Sequence, residues 1–268
     1  MLTLLKYDLK NTRFKMLLYC IAPLVVTVAA TFCWSDFFEG FFDGNNFYWI
    51  TICKWGSIGI WFIVCAICFI LAFVALAQWF AQSLLAEEGH FMNMLPVSKT
   101  MLLLSKVLTA LIWNFVLVCF SVICVMVFLY FGGKLAQIND ILLDLMGDSE
   151  DGLHISQLFL LGGMFLSVHC GAVSVLSYVS IFLGHRVNIG KNAVTLLSFF
   201  GIGLAEIIVS LVLAYILGMF NFGDLGSITG IIKFFDMACI KMTIVSLIFL
   251  LINFAMGVGI YKLGVDVD

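Results

Sequence analysis

Charge is scarce in this chain. Asp, Glu, Lys and Arg together make up 11% of its 268 residues, against about 25% in an ordinary soluble domain. Hydrophobic residues make up 63% and the mean hydropathy is +1.17, so polar groups are too few to cover a folded surface in water. Proline is nearly absent, with Pro23 and Pro96 alone, and no polar stretch is long enough for a separate soluble domain. Histidine is sparse and scattered, at His90, His154, His169 and His185. No H-E-x-x-H, no G-x-S-x-G and no cluster of Asp or His at metal-ligand spacing occurs. Catalysis by the chain itself, a resident metal or cofactor, and a nucleic-acid partner are therefore not expected. The run from Gly184 to Asn192 misses the phosphate-binding loop pattern. It has one residue too many between Gly184 and Gly190, and Asn192 stands where a hydroxyl must reach magnesium.

Long apolar runs are what the chain does have. Six of them, at about 16–36, 50–80, 101–131, 156–183, 193–219 and 240–261, reach the length of about 20 residues that a helix needs to cross a bilayer. The expected fold is an all-α integral membrane protein with six transmembrane helices, residues 1–268 forming one domain. The second and third runs exceed a span, and either tilt or project from the membrane. Lys6, Lys10, Arg13 and Lys15 precede the first run as they would in a signal peptide. That run, from Met16 to about Trp34, is too long for a signal-peptide core and no A-x-A site follows it. It reads as an uncleaved first span.

Charge distribution sets an orientation. With the N terminus in the cytoplasm, Lys6, Lys10, Arg13, Lys15, Lys99, Lys106, Arg186, Lys191 and Lys262 fall inside, and only Lys54, Lys134, Lys233 and Lys241 fall outside. This is the positive-inside distribution, and it puts the C terminus inside as well. The acids from Asp36 to Asp43 and from Asp140 to Asp151 fall outside.

Three segments between or before the spans carry patterns of their own. In residues 1–15, Leu2, Leu5 and Leu9 share one helical face and Lys6, Lys10 and Arg13 another. The pattern is that of an interfacial helix with its cations at anionic head groups, or of a basic topology signal alone. In the outer loop 132–155, Leu135, Ile138, Leu142 and Leu145 recur at helical spacing. Its acids Asp148, Glu150 and Asp151 read as a solvated face. Residues 220–239 are too apolar for an ordinary loop and are broken by Gly223, Gly226 and Gly230. A re-entrant outer element is expected there, since irregular backbone at membrane depth is tolerated only when buried in protein or lining a cavity.

Within the spans, Glu206 is the one acid placed mid-helix, where a charge is expensive. It either lines a translocation path or gates a helix interface, or it is neutral and bonded to backbone or a nearby Ser. His169, in the fourth span, reads first as bonded to a neighbouring helix. Gly163, Ser167 and Gly171 in the fourth run, and Ala255 and Gly259 in the sixth, permit close helix packing within the chain or between subunits. Most of the nine Cys lie in apolar runs and act as small hydrophobes. Cys65 and Cys68 form a C-x-x-C with no His or carboxylate beside it. Cys33 and Cys53 fall near the outer surface, where a disulfide between them is conceivable.

The principal cytoplasmic segment, 81–100, holds Glu87 and Glu88 on a side otherwise dominated by bases. Pro96 disfavours helix at Leu95, and Ser98 is a cap for the helix that follows. A short helix, a turn and a long helix result, a rigid lever on which a partner can push. Here the chain resembles the type-2 permease subunits of bacterial ATP-binding-cassette transporters. Glu88-Gly89, then Leu95-Pro96-Val97-Ser98-Lys99 and Leu104-Ser105-Lys106, match that family's acid–Gly, LPVS and LLSK run. Leu4-Leu5-Lys6-Tyr7-Asp8-Leu9-Lys10 resembles its amphipathic opening helix, and the six-span layout is similar. Met94 departs from the Thr or Ser usual before Leu-Pro.

The resemblance implies a permease in the bacterial plasma membrane, paired with a second copy or a different permease chain. A separate ATP-binding subunit would dock on Glu87, Glu88, Gly89, Leu95, Pro96, Val97 and Ser98. A smaller contact is implied around Arg186. Cargo would be hydrophobic or amphipathic, such as an antimicrobial peptide, antibiotic or lipid, moved outward. An ion-coupled secondary transporter using Glu206 and His169, and a membrane anchor or sensor subunit that does not transport, are the other readings.

Overall fold

A computed structural model describes residues 2–34, 47–85, 94, 97–131, 155–187, 190–218 and 228–263. They form α1 (Leu2–Cys33), α2 (Phe47–Leu85), α3 (Lys99–Phe131), α4 (Ile155–His185), α5 (Lys191–Ile216) and α6 (Ile228–Lys262), with no strand among the described residues. Each helix carries a stretch long and apolar enough to cross a bilayer. Helix is the form that satisfies every backbone group within one segment, which a hydrocarbon solvent demands. At 39 residues, α2 is about 58 Å long at 1.5 Å per residue, well beyond the ~30 Å hydrocarbon core.

The helices pack around α4. Of its most apolar stretch 67% is buried, against none of the corresponding stretch of α5. α4 runs along α6 and also touches α3 and α5, while α1 lies against α2 and α3. Small residues make these approaches close. Gly163 backs onto Val118 and Val122 of α3. At Gly171 the Leu111 side chain stands where a Cβ would go, and Leu250 of α6 is 3.6 Å from that point. In α6 the residue facing its neighbours is Gly257, where a Cβ would lie 3.4 Å from Leu103 and 3.5 Å from Val179. Gly259 has nothing within 4 Å, so it takes no part in the close packing expected of it.

An aromatic ladder binds one end of the bundle. Phe80 of α2 stacks on Tyr178 of α4 with centroids 3.8 Å apart, and Phe182 stacks on Tyr261 of α6 at 5.2 Å. Phe80 meets Phe182 edge-on. This end therefore gathers the starts of α1 and α3 and the ends of α2, α4 and α6.

The structure departs from the sequence reading at both edges of the chain. Residues 2–15 are the first turns of α1, continuous with the span, not a separate helix. Asp8 and Thr12 are buried against α3 and Leu9 packs on the core, which ties this segment to the bundle. Residues 228–239 are continuous with the rest of α6, and the first part of the expected re-entrant element, 220–227, lies outside the described residues. Gly230 weakens a helix by only about 1 kcal/mol, too little to end one of 35 residues. Gly223 and Gly226, and the outer loop through residue 154, lie outside the described residues. Cys33 and Cys53 are both free thiols.

Candidate functional site

Two places gather polar groups in this apolar bundle. The first is between α4, α5 and α6. Glu206 projects from the middle of α5 to α6, where Asn253 Nδ2 donates to Glu206 Oε1 at 2.7 Å. Asn253 is fully buried, and its Oδ1 has no partner. One α4 residue reaches the same region, since His169 Nδ1 and Ser246 Oγ of α6 are 3.3 Å apart. The His169 ring stacks on Phe165, with centroids 5.6 Å apart.

Glu206, His169 and Ser246 border one cavity of about 410 Å³. Its walls are otherwise apolar, with Phe199, Phe200 and Phe249 supplying aromatic faces and Leu176 and Val245 aliphatic ones. Ser210 adds a hydroxyl whose proton goes to the Ile207 carbonyl at 2.7 Å. Phe200, Leu204 and Ile207 border the cavity yet are exposed, so it opens on the apolar outer face of α5. The volume falls in the range of about 300–1,000 Å³ typical of small-molecule sites. Among the described residues no Lys or Arg borders it.

The second place is the end of the bundle marked by the aromatic ladder. Ser98 caps α3, its Oγ accepting from Met101 N–H at 3.4 Å and its carbonyl from Leu102 N–H at 3.1 Å. Val97 is exposed beside it, and Arg186 is exposed in the turn after α4. That turn leads through Gly190, whose φ of 71° is left-handed, a conformation that glycine adopts without strain. Glu87, Glu88, Gly89, Leu95 and Pro96 lie outside the described residues.

Lys106, counted from sequence among the inside charges, is buried. Its Nζ donates to Asp8 Oδ1 at 2.7 Å and sits 4.3 Å from the Trp79 ring centroid. Ser105 Oγ donates to Asp8 Oδ2 at 2.7 Å, and Trp113 Nε1 to Thr12 Oγ1 at 2.8 Å. Lys99 Nζ reaches the Tyr261 carbonyl at 3.4 Å. α3 is thus pinned to α1 and α6 where it leaves the segment 81–100.

Asn253, Ser246 and Asp8 were not singled out from sequence. Asn253 is an amide in mid-span, and Asp8 is an acid among bases; both are signals of an interhelical partner. Among the described residues no group of three or more His, Cys, Asp or Glu is placed to hold a metal ion.

Fold and site define a class: among the described residues, six membrane-length helices, no strand, and a largely apolar cavity between the last three helices with Glu206 and His169 on its wall. No protein-family model matches the chain, and no curated protein or solved structure matches it.

Proposed function

We propose that the chain is the membrane-spanning permease subunit of an ATP-binding-cassette transporter in a bacterial plasma membrane, with both termini cytoplasmic. It moves hydrophobic or amphipathic cargo outward and is powered by a separate ATP-binding subunit. The observation that carries this reading is the run from Glu88-Gly89, which follows the end of α2 in sequence, to Leu104-Ser105-Lys106 in the first turns of α3. A docked ATPase would push on that segment. The Lys106–Asp8 pair and the Lys99–Tyr261 contact would pass the push to α1 and α6. A second permease chain, identical or different, would complete the pathway.

One observation favours a second reading. Glu206 and His169, the two ionisable groups an ion-coupled carrier would use, border the same cavity.

The test is a pull-down of the tagged chain from gently solubilised native membranes, with ATP hydrolysis measured on the eluate. A co-purifying soluble subunit with a phosphate-binding loop and ATPase activity is the expected result. Its stoichiometry would also count the permease chains. A chain that elutes alone without activity sinks the permease reading. Proton- or sodium-driven transport by that lone chain would then support the carrier, and its absence an anchor or sensor subunit.

A further inference from the structure

We propose that the cavity between α4, α5 and α6 is a binding site for lipophilic amines, entered from the membrane side, with Glu206 as the group that selects the cationic head. Among the described residues on its walls, Glu206 is the acid, and no Lys or Arg stands beside it. Asn253 occupies Oε1 as a donor from behind, which leaves Oε2 to accept from a ligand. Ser210, the hydroxyl that α5 brings to the lining, spends its proton on the Ile207 carbonyl and offers the cavity only lone pairs. His169 and Ser246, paired with each other on the same wall, keep one N–H or O–H between them, so it is Glu206 Oε2 that asks for a ligand bringing donors and positive charge. An anion would meet a carboxylate in an apolar enclosure, where unpaired charge is most costly.

The rest of the wall fixes the body of the ligand. Phe199, Phe200 and Phe249 give flat apolar faces, which suit an aromatic or alkyl body and favour a nearby ammonium. The exposed Phe200, Leu204 and Ile207 at the rim mean that such a ligand arrives from the hydrocarbon phase, not from water. A lipophilic amine partitions there and crosses into the site with its charge meeting the carboxylate. Neutral lipid chains share the apolar walls but leave Glu206 without a counter-charge.

This inference does not depend on an ATPase partner, since it concerns binding to the purified chain alone. If the permease reading also holds, the amine is of the cargo class. Loss of the ATPase in the pull-down would leave this site standing, and loss of amine binding would leave the pull-down standing.

The probe is tritiated propranolol, a naphthyl ether carrying a secondary amine, bound to the purified chain in detergent by scintillation proximity. Its competitors are 1-propoxynaphthalene, which lacks the amine, and 1-naphthoxyacetate, which carries a carboxylate. Saturable binding of propranolol is expected, with the neutral ether competing about tenfold or more worse, the scale of one hydrogen bond to a charged group. The anion should not compete. Glu206→Gln should weaken propranolol about tenfold while leaving the neutral ether unchanged. Gly203→Leu, which fills the cavity from a position where a Cβ meets only Leu176 at 3.6 Å, should abolish saturable binding. Equal competition by ether and amine on the wild-type chain would overturn the selection by Glu206, whatever the variants do. Saturable binding that survives Gly203→Leu, or preference for the anion, would overturn the site.

Discussion

Lys106 Nζ lies 2.7 Å from Asp8 Oδ1, and each side chain is only 1% exposed. The pair joins α1 to α3 across almost a hundred residues of sequence. Ser105 serves the second carboxylate oxygen, so Asp8 is held at both ends. Removing one partner leaves a buried charge unmatched, which costs about 3–5 kcal/mol, whereas replacing both by apolar groups is often near neutral. Asp8→Leu is therefore expected to destabilise the chain by about that amount. Asp8→Leu combined with Lys106→Met should recover most of it. Thermal unfolding in detergent, followed by a dye that reacts with newly exposed cysteines such as Cys20 and Cys68, reads both. A double variant as unstable as the single one would mean that the pair contributes more than neutralisation.

Packing at α4 makes a second expectation. Leu111 and Leu250 close over Gly171, and Gly259 faces open space. Gly171→Leu forces both neighbours off their positions and should destabilise by about 1–3 kcal/mol, the usual scale of overpacking. Gly259→Leu should be tolerated in the isolated chain. The same unfolding measurement decides. A large loss at Gly259 would show that its open face is filled by something that co-purifies with the chain.

Much of the fold was legible because a bilayer imposes one requirement on every span. Around 20 apolar residues must be helical, and six such runs could be counted in the sequence and are six helices in the structure. Pairings across helices were less visible. Lys106 was counted only among the inside charges, because its partner, Asp8, is remote in sequence and sits among Lys6, Lys10 and Arg13. The same blindness turned the first turns of α1 into a separate interfacial helix. At Glu206 the sequence raised the right residue but pointed to backbone or Ser as its partner, while the structure supplies Asn253. Gly230 suggested a break but lies within the continuous α6, which starts at Ile228, while Gly223 and Gly226 lie outside the described residues.

The segment 81–100 yields a test of coupling. If an ATPase pushes there, the acid at its centre and the break after it matter more than the cap on α3. In the co-purified complex, Glu88→Ala and Pro96→Ala should each lower cargo moved per ATP by about tenfold, a change of about 1.4 kcal/mol, with hydrolysis retained. Ser98→Ala removes the Met101 cap contact and should cost about 1 kcal/mol of stability with coupling largely kept. Transport and hydrolysis are measured together in reconstituted vesicles. Full coupling in both Glu88→Ala and Pro96→Ala would remove the segment from the mechanism.

Asn253 and Glu206 allow structure and function to be separated at one site. Asn253 is fully buried and spends one N–H on Glu206 Oε1 at 2.7 Å. Asn253→Leu removes the donor and strands the carboxyl group against an apolar wall, a loss of about 1.5–3 kcal/mol for a hydrogen bond to a charged group. Glu206→Gln keeps an oxygen in the same place for Asn253 and should unfold within about 1 kcal/mol of the parent chain, because a neutral hydrogen bond replaces one to a charged group. It nevertheless removes the acid from the described cavity wall. ATP-driven accumulation of a fluorescent lipophilic amine in inverted vesicles should therefore fall in Glu206→Gln while the unfolding temperature holds. If accumulation holds as well, Glu206 serves only to fasten α5 to α6. If both fall together, Asn253→Leu should show the same paired loss, and the contact is then structural first and functional through it.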